Sequence, residues 1–203
     1  MGHAGMAAAA VRYLRSADAP PVAALPRPEL RCVGEDERAP IPQAEFRRVL
    51  GNFATGVVVV TAPATTDDPA ASSPSSPAGF ACQSFSSLSL DPPLIAFMVG
   101  RTSTTWPRIA RAGVFCVNVL SAGQGELCRG FAVSGADKFA GVTYDAAPVS
   151  GSPRLAGTLA WIDCTIHAVH TGGDHLIVVG RVDALGTADG DAAPLLFHKG
   201  RFL

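Results

Sequence analysis

The sequence predicts a mainly β protein, an antiparallel barrel that is closed or nearly closed and carries short flanking helices. Many short segments rich in β-branched and aromatic residues recur between turn signals, as at 57–61, 80–88, 94–99 and 114–120. Two longer segments, 159–170 and 176–185, flank Thr171, Gly172, Gly173 and Asp174, a hairpin signature. Helical periodicity is confined to short stretches.

Residues 1–40 mix Ala, Pro and Arg without a lasting period and are expected to be a loosely ordered extension. The alternative is a short helix at 7–15 that packs on a partner subunit. The domain proper spans 41–203. Phe46, Val49, Leu50 and Phe53 recur at helical spacing, Pro42 suits a first helical position and Gly51 stands near the end. The 57–61 run then reads as a buried strand, and 63–77 as a mobile hairpin tip. Strands follow at 80–88 and 94–99. A second helix starts at Thr104, Thr105, Trp106 and Pro107 and stops at Gly113. A strand at 114–120 leads to helical spacing of Leu127 and Phe131 in 125–131. In 159–170, Ala160, Ile162, Cys164, Ile166 and Ala168 line one side. Residues 195–202 form a last short strand.

Composition excludes several classes. Sixteen basic and seventeen acidic residues in 203 leave a net charge of −1, which argues against nucleic acid or an anionic membrane as partner. Only 16% of residues are charged against 48% hydrophobic, which hints at surface buried in an oligomer. The five cysteines (Cys32, Cys82, Cys116, Cys128 and Cys164) are odd in number and form no CxxC pair, so neither a disulfide framework nor a zinc site is expected, and a reducing cytoplasm fits. No apolar run approaches the ~20 residues of a membrane span, and 6–11 is too short for a signal peptide. GxGxxG, GxxxxGK[ST], HExxH and GxSxG are all absent. His167 and His170 fall on opposite faces of one strand and do not suit a shared metal.

The chemistry-bearing residues cluster in a few places. Gln83, Ser84, Ser86, Ser87 and Ser89 make a hydroxyl-rich strand around Phe85, and the Gln83 amide can pair with a heterocycle edge. The plain alternative is an edge strand that meets water. Arg101, Thr102, Ser103 and Thr105 stand just before a helix, an arrangement suited to an anion, although a lone Arg is also an ordinary loop cation. His175 follows a glycine-rich hairpin, where simple turn chemistry is the rival reading. Lys138 and Phe139 set a cation beside an aromatic in a polar loop.

Six segments in order resemble the flavin reductase family, the small NAD(P)H:flavin oxidoreductases that serve two-component monooxygenases. They are Phe53-Ala54-Thr55-Gly56-Val57, the 79–93 stretch, Phe115-Cys116-Val117-Asn118-Val119-Leu120, Ser134-Gly135-Ala136-Asp137-Lys138-Phe139, Gly173-Asp174-His175 and His198-Lys199-Gly200-Arg201-Phe202. The resemblance spans roughly 42–203. It implies an FMN-binding split β-barrel, Greek-key-like and antiparallel, and a homodimer with flavin near the subunit interface. It also implies hydride transfer from NADH to FAD or FMN, with free reduced flavin diffusing to a monooxygenase in the cytoplasm. The family's habits suggest a secondary-metabolite pathway. NADH is favoured over NADPH because no Arg cluster for a 2′-phosphate is evident.

By that resemblance, Gln83, Ser84, Phe85 and Ser86 hold the isoalloxazine and ribityl. Ser89 with Arg101, Thr102, Ser103 and Thr105 meets the phosphate end. Lys138 and Phe139 close over the flavin, His175 positions the nicotinamide, and His198 lies beside the site. The chain departs from the family at Ala81, Cys82 and Gln83, where Thr-Ala-Ser is common. Two readings rival reduction: a flavin-binding carrier or sensor without turnover, and a pyridoxamine-phosphate-type oxidase, for which Arg101 and Lys138 are too few cations.

Overall fold

The computed structural model describes residues 41–65, 76–135 and 137–203. The extension expected at 1–40 and most of the hairpin tip expected at 63–77 lie outside the described residues, as does Cys32.

The first described element is α1 (Gln43–Leu50), with Pro42 at its N-cap and Gly51 closing it by an N–H donated to the Arg47 carbonyl at 2.9 Å. Pro42 thus sits one place before the first helical position. Then come β1 (Thr55–Gly56), β2 (Val58–Ala62), β3 (Ala78–Cys82), β4 (Ser86–Leu90) and β5 (Pro93–Gly100). The strand expected over 80–88 is two strands, broken at 83–85. Helix α2 (Trp106–Ala112) ends at Gly113, whose φ of 69° favours a residue without Cβ. After β6 (Val114–Val119) a 3₁₀ turn (Ala122–Gln124) enters α3 (Gly125–Ala132). The small hairpin of β7 (Tyr144–Ala146) and β8 (Pro153–Leu155) carries little periodicity and no sequence signal marked it. Strands β9 (Ala160–Gly172) and β10 (His175–Thr187) form the long hairpin. The single strand expected at 195–202 is β11 (Leu196–His198) and β12 (Arg201–Phe202), folded back at Lys199 and Gly200, whose φ values are 48° and 78°.

Seven strands form one antiparallel sheet in the order β3-β2-β6-β9-β10-β5-β4. A second sheet, β1-β11-β12, shares no ladder with it. The large sheet is not a closed barrel: among the described strands no ladder joins β3 to β4, although the two are consecutive in the chain. The reason is local. Gln83, Ser84 and Phe85 leave the ladder between the two strands.

Phe97, Phe115, Trp106 and Ile109 form one core, with Phe97 and Phe115 edge-to-face at 5.3 Å. A second core gathers Leu120, Phe131, Phe139 and Leu195. In β9 the expected apolar side holds, since Ile162, Cys164 and Ile166 pack on the first core. The opposite side is not all polar surface: Asp163 is wholly buried, and its Oδ2 accepts from the N–H groups of Val149 (2.9 Å) and Ser150 (3.1 Å). Gly180 stands at a register shift of β10, where the Phe115 ring takes the place of a side chain. A Cβ there would overlap that ring and approach Ile95 Cδ1 to 3.2 Å. Phe115 is fully buried and cannot yield. Gly180→Ala is therefore expected to lower stability by about 1–3 kcal/mol. An unchanged urea midpoint would contradict this packing.

Candidate active site

A groove of about 1040 Å³ opens beside the gap in the large sheet. Its walls come from α1, the 53–58 segment, the 83–86 break, Met98 of β5, and the turn between β11 and β12. The apolar face of α1 is not buried within the chain: Phe46 is 54% exposed and Leu50 54%, and both line this groove.

The floor depends on one hydroxyl. Ser84 Oγ accepts from the Met98 N–H and donates to the Met98 carbonyl, both at 3.0 Å. A side chain thus carries the β4–β5 ladder one rung past Ser86 and holds the 83–85 break against β5. The geometry also commits the only proton of that hydroxyl, so Ser84 acts by position rather than as a donor to a ligand. Cys82 lies beneath it, with Sγ 3.2 Å from Ser84 Oγ. Phe85 lines the groove and packs back onto the first core. Gln83 is exposed, and its Oε1 receives only a long 3.5 Å bond from Thr55 Oγ1. Its amide is therefore available to a ring edge.

His175 lies along the same face. In the β5–β10 ladder Met98 pairs with Ile177 and Gly100 with His175. Met98 and Gly100 are two residues apart on one strand, so they share a face about 7 Å apart. A Cβ on Gly100 would lie 3.9 Å from His175 Nε2, which puts the imidazole on that face. His175 Nδ1 is 2.8 Å from Asp174 Oδ1, and this bond holds the Asp174 carboxyl below the usual carboxylate range. The Arg101 N–H donates to the Asp174 carbonyl at 3.0 Å, which ties the Arg101–Thr102 turn to the His175 hairpin.

The other sequence-predicted residues are dispersed. Ser103 Oγ accepts the Trp106 N–H at 3.2 Å and so caps α2 in place of Thr105, which makes no side-chain cap bond. Ser89 follows a register shift in β4 and does not line the groove. Lys138 Nζ donates to the carbonyls of Phe131 (3.0 Å) and Gly79 (3.2 Å). Burial and the nearby Arg108 charge hold its ammonium below the ordinary lysine value. Phe139 is packed edge-to-face on Phe131 in the second core, and neither residue lines the groove. His198 is half-buried in β11, between two groove-lining residues, Phe197 and Lys199. Arg47, Met98 and Lys199 line the groove without having been singled out as functional. Lys199 stood within a quoted motif, and Arg47 follows Phe46 on the amphipathic helix.

Burial pushes up the thiols of Cys82, Cys116, Cys128 and Cys164, that of Cys116 to about 12. All four are buried and unpaired. The native protein should therefore resist a thiol-labelling reagent at neutral pH at these positions. Labelling of any of them before unfolding, located by peptide mass, would contradict this.

The model of the flavin reductase like domain matches residues 50–203. This chain belongs to the flavin reductase family. The reductase subunit of a flavin-dependent monooxygenase from Rhodococcus jostii is 46% identical over 162 residues, covering 80% of this chain and 77% of that protein. A flavin reductase of Pseudomonas putida is 45% identical, covering 85% and 95%. Among solved structures, an NADH:FAD oxidoreductase of Streptomyces globisporus in complex with NAD and FAD fragments aligns with a TM-score of 0.70 at 37% identity, covering 79% and 91%. A nitrilotriacetate monooxygenase component B homologue from Mycobacterium thermoresistibile gives 0.72 at 43%, covering 79% and 85%. The six segments that carried the family resemblance lie within or at the edge of the matched region. No described helix is long and apolar enough to cross a membrane.

Proposed function

We propose that this chain is an NADH-dependent flavin reductase that supplies reduced FAD or FMN to a partner monooxygenase. The observation that carries this reading is one face of β5, on which Met98 meets the Gln83–Ser86 break and Gly100, two residues on, meets His175.

The residues fit a flavin. The groove combines apolar walls (Phe46, Phe53, Phe85 and Phe197) with a few polar groups, as a planar heterocycle requires. When bound, flavin supplies a ring that accepts a hydride. The chain's own residues orient and enclose. Gln83 offers an amide to the ring edge, Ser84 fixes the floor, and Ser86 presents a hydroxyl to the ribityl. Arg101 and Thr102, exposed beside His175, offer donors to the phosphate end. His175 is a positioning residue for the nicotinamide, oriented by Asp174. Lys138, Phe139 and Ser103 support the scaffold, and His198 backs the β11 wall.

The finer architecture follows the same reading. The unclosed ladder at β3 and β4 supports a split barrel. The exposed apolar face of α1 and the 94% exposure of Leu90 support a homodimer. Residues 41–203 are read as the reductase domain and 1–40 as an extension. The buried, unpaired thiols fit a cytoplasmic setting.

Purified protein mixed with FAD or FMN and NADH should consume NADH at the nicotinamide absorbance band, and NADPH more slowly. Flavin binding without turnover would favour a carrier. His175→Ala should raise the KM for NADH about tenfold or more while changing flavin affinity less. Stopped-flow flavin reduction with unchanged NADH dependence would sink the role of His175.

A further inference from the structure

Two cations line the groove, whose lining does not include His175: Arg47 from α1, and Lys199 from the turn between β11 and β12. Both are exposed, and neither side chain forms an ion pair or hydrogen bond with any described residue. Most exposed cations are simply solvated, so position must decide. Arg47 stands beside Arg48, yet Arg48 is bound to Glu45 at 2.6 Å while Arg47 is left open to the groove. Lys199 is the one non-glycine residue with positive φ among the described residues, at 48°. That conformation is uncommon for a residue with a side chain, and Gly or Asn would occupy it at lower cost. The turn is fixed in place, because the Lys199 N–H donates to the Gly51 carbonyl at 3.0 Å just past the end of α1. The backbone therefore anchors Lys199 to the helix that carries Arg47.

Size points the same way. Small-molecule sites commonly span about 300–1,000 Å³, and this groove, at about 1040 Å³, has room for more than a bare ring system. We propose that Arg47 and Lys199 form a subsite for the pyrophosphate of a dinucleotide lying along the groove. The inference rests on the flavin reductase reading and extends it. FAD and NADH both carry a pyrophosphate, FMN carries a single phosphate, and riboflavin carries none. Two cations facing one such group give charge-assisted hydrogen bonds from both sides, with Arg bidentate and Lys a point charge.

The test uses the full chain as wild type, Arg47→Gln, Lys199→Gln and Lys199→Gly. Lys199→Gly removes the charge while relieving the backbone, so a loss seen there cannot come from misfolding of the turn. Flavin fluorescence titrations give Kd for FAD, FMN and riboflavin, and initial rates give KM for NADH. Weakening of FAD by about tenfold in each variant, with riboflavin unchanged and the wild-type FAD affinity falling steeply with salt, assigns the subsite to the flavin, in place of Arg101 and Thr102 as its phosphate end. A KM for NADH raised about tenfold with flavin affinities unchanged assigns it to the nicotinamide dinucleotide. Variants that match wild type for FAD and for NADH overturn the subsite while leaving the reductase reading intact. A wild-type chain that binds no flavin at all overturns both.

Discussion

Ser84→Ala is expected to weaken flavin binding about tenfold and to lower stability by about 1–3 kcal/mol, because the Met98 N–H and carbonyl lose their shared partner. The two effects have one cause. The large sheet has unpaired ends at β3 and β4, and the Ser84 hydroxyl is what bonds the 83–85 break to β5. Without it the break loses its fixed distance from Met98, and the amide of Gln83 and the ring of Phe85 lose their register. Cys82 cannot substitute, since its Sγ reaches the Met98 carbonyl only at 3.8 Å and thiols are weak donors. Ser84→Thr keeps the hydroxyl and should recover most of the affinity, whereas Ser84→Val should behave like Ala. Fluorescence titration with FAD and urea unfolding measure the two effects. An Ala variant that binds flavin as wild type does would show that the rung from Ser84 to β5 is dispensable.

Much of this fold was legible because its signals are local. The long hairpin announced itself through alternation in β9 and the Gly172-Gly173 turn, and α2 through its Trp-Pro start and Gly113 stop. The break at 83–85 was not legible, because the apolar residues on either side, Phe80 and Leu88, carried the strand reading across the Gln and Ser between them. Only the tertiary bond from Ser84 to Met98 shows that the chain leaves the ladder there. The hairpin of β7 and β8 escaped notice because three-residue strands carry no period. The site divided along the same line. Gln83, Ser84, Phe85 and Ser86 stand on one groove, since they are contiguous. Lys138 and Phe139 formed a pattern equally suited to covering a ring, yet the Lys138 ammonium is spent on two carbonyls and Phe139 packs in a core. Arg47 and Lys199 are far apart in sequence and converge only through the bond from Lys199 to Gly51.

Asn118→Leu should cost on the order of 3–5 kcal/mol, a large part of the stability of an ordinary domain. Asn118 is wholly buried in β6, in a segment whose other residues are apolar. Its Oδ1 accepts the Leu155 N–H at 2.8 Å. Its Nδ2 faces the Val59 carbonyl and Thr61 Oγ1, each at 3.2 Å, and the Pro153 carbonyl at 3.3 Å. One amide thereby joins β2, β6 and β8, and holds the small hairpin that the sequence did not reveal. Leucine keeps the branched shape but is bulkier, and it leaves the Leu155 N–H buried without its partner, which costs more than the lost bonds alone. Thr61 belongs to the same network, donating to the Pro153 carbonyl at 2.5 Å. Thr61→Val should therefore couple to Asn118→Leu in a double-mutant cycle by at least about 0.5 kcal/mol. Urea unfolding measures each arm, and strict additivity would break the network into independent contacts. Asn118 does not line the groove, so the folded fraction of the variant should turn over NADH at the wild-type rate. That separates Asn118, which keeps the sheet together, from Ser84, which holds the floor on which a ligand rests.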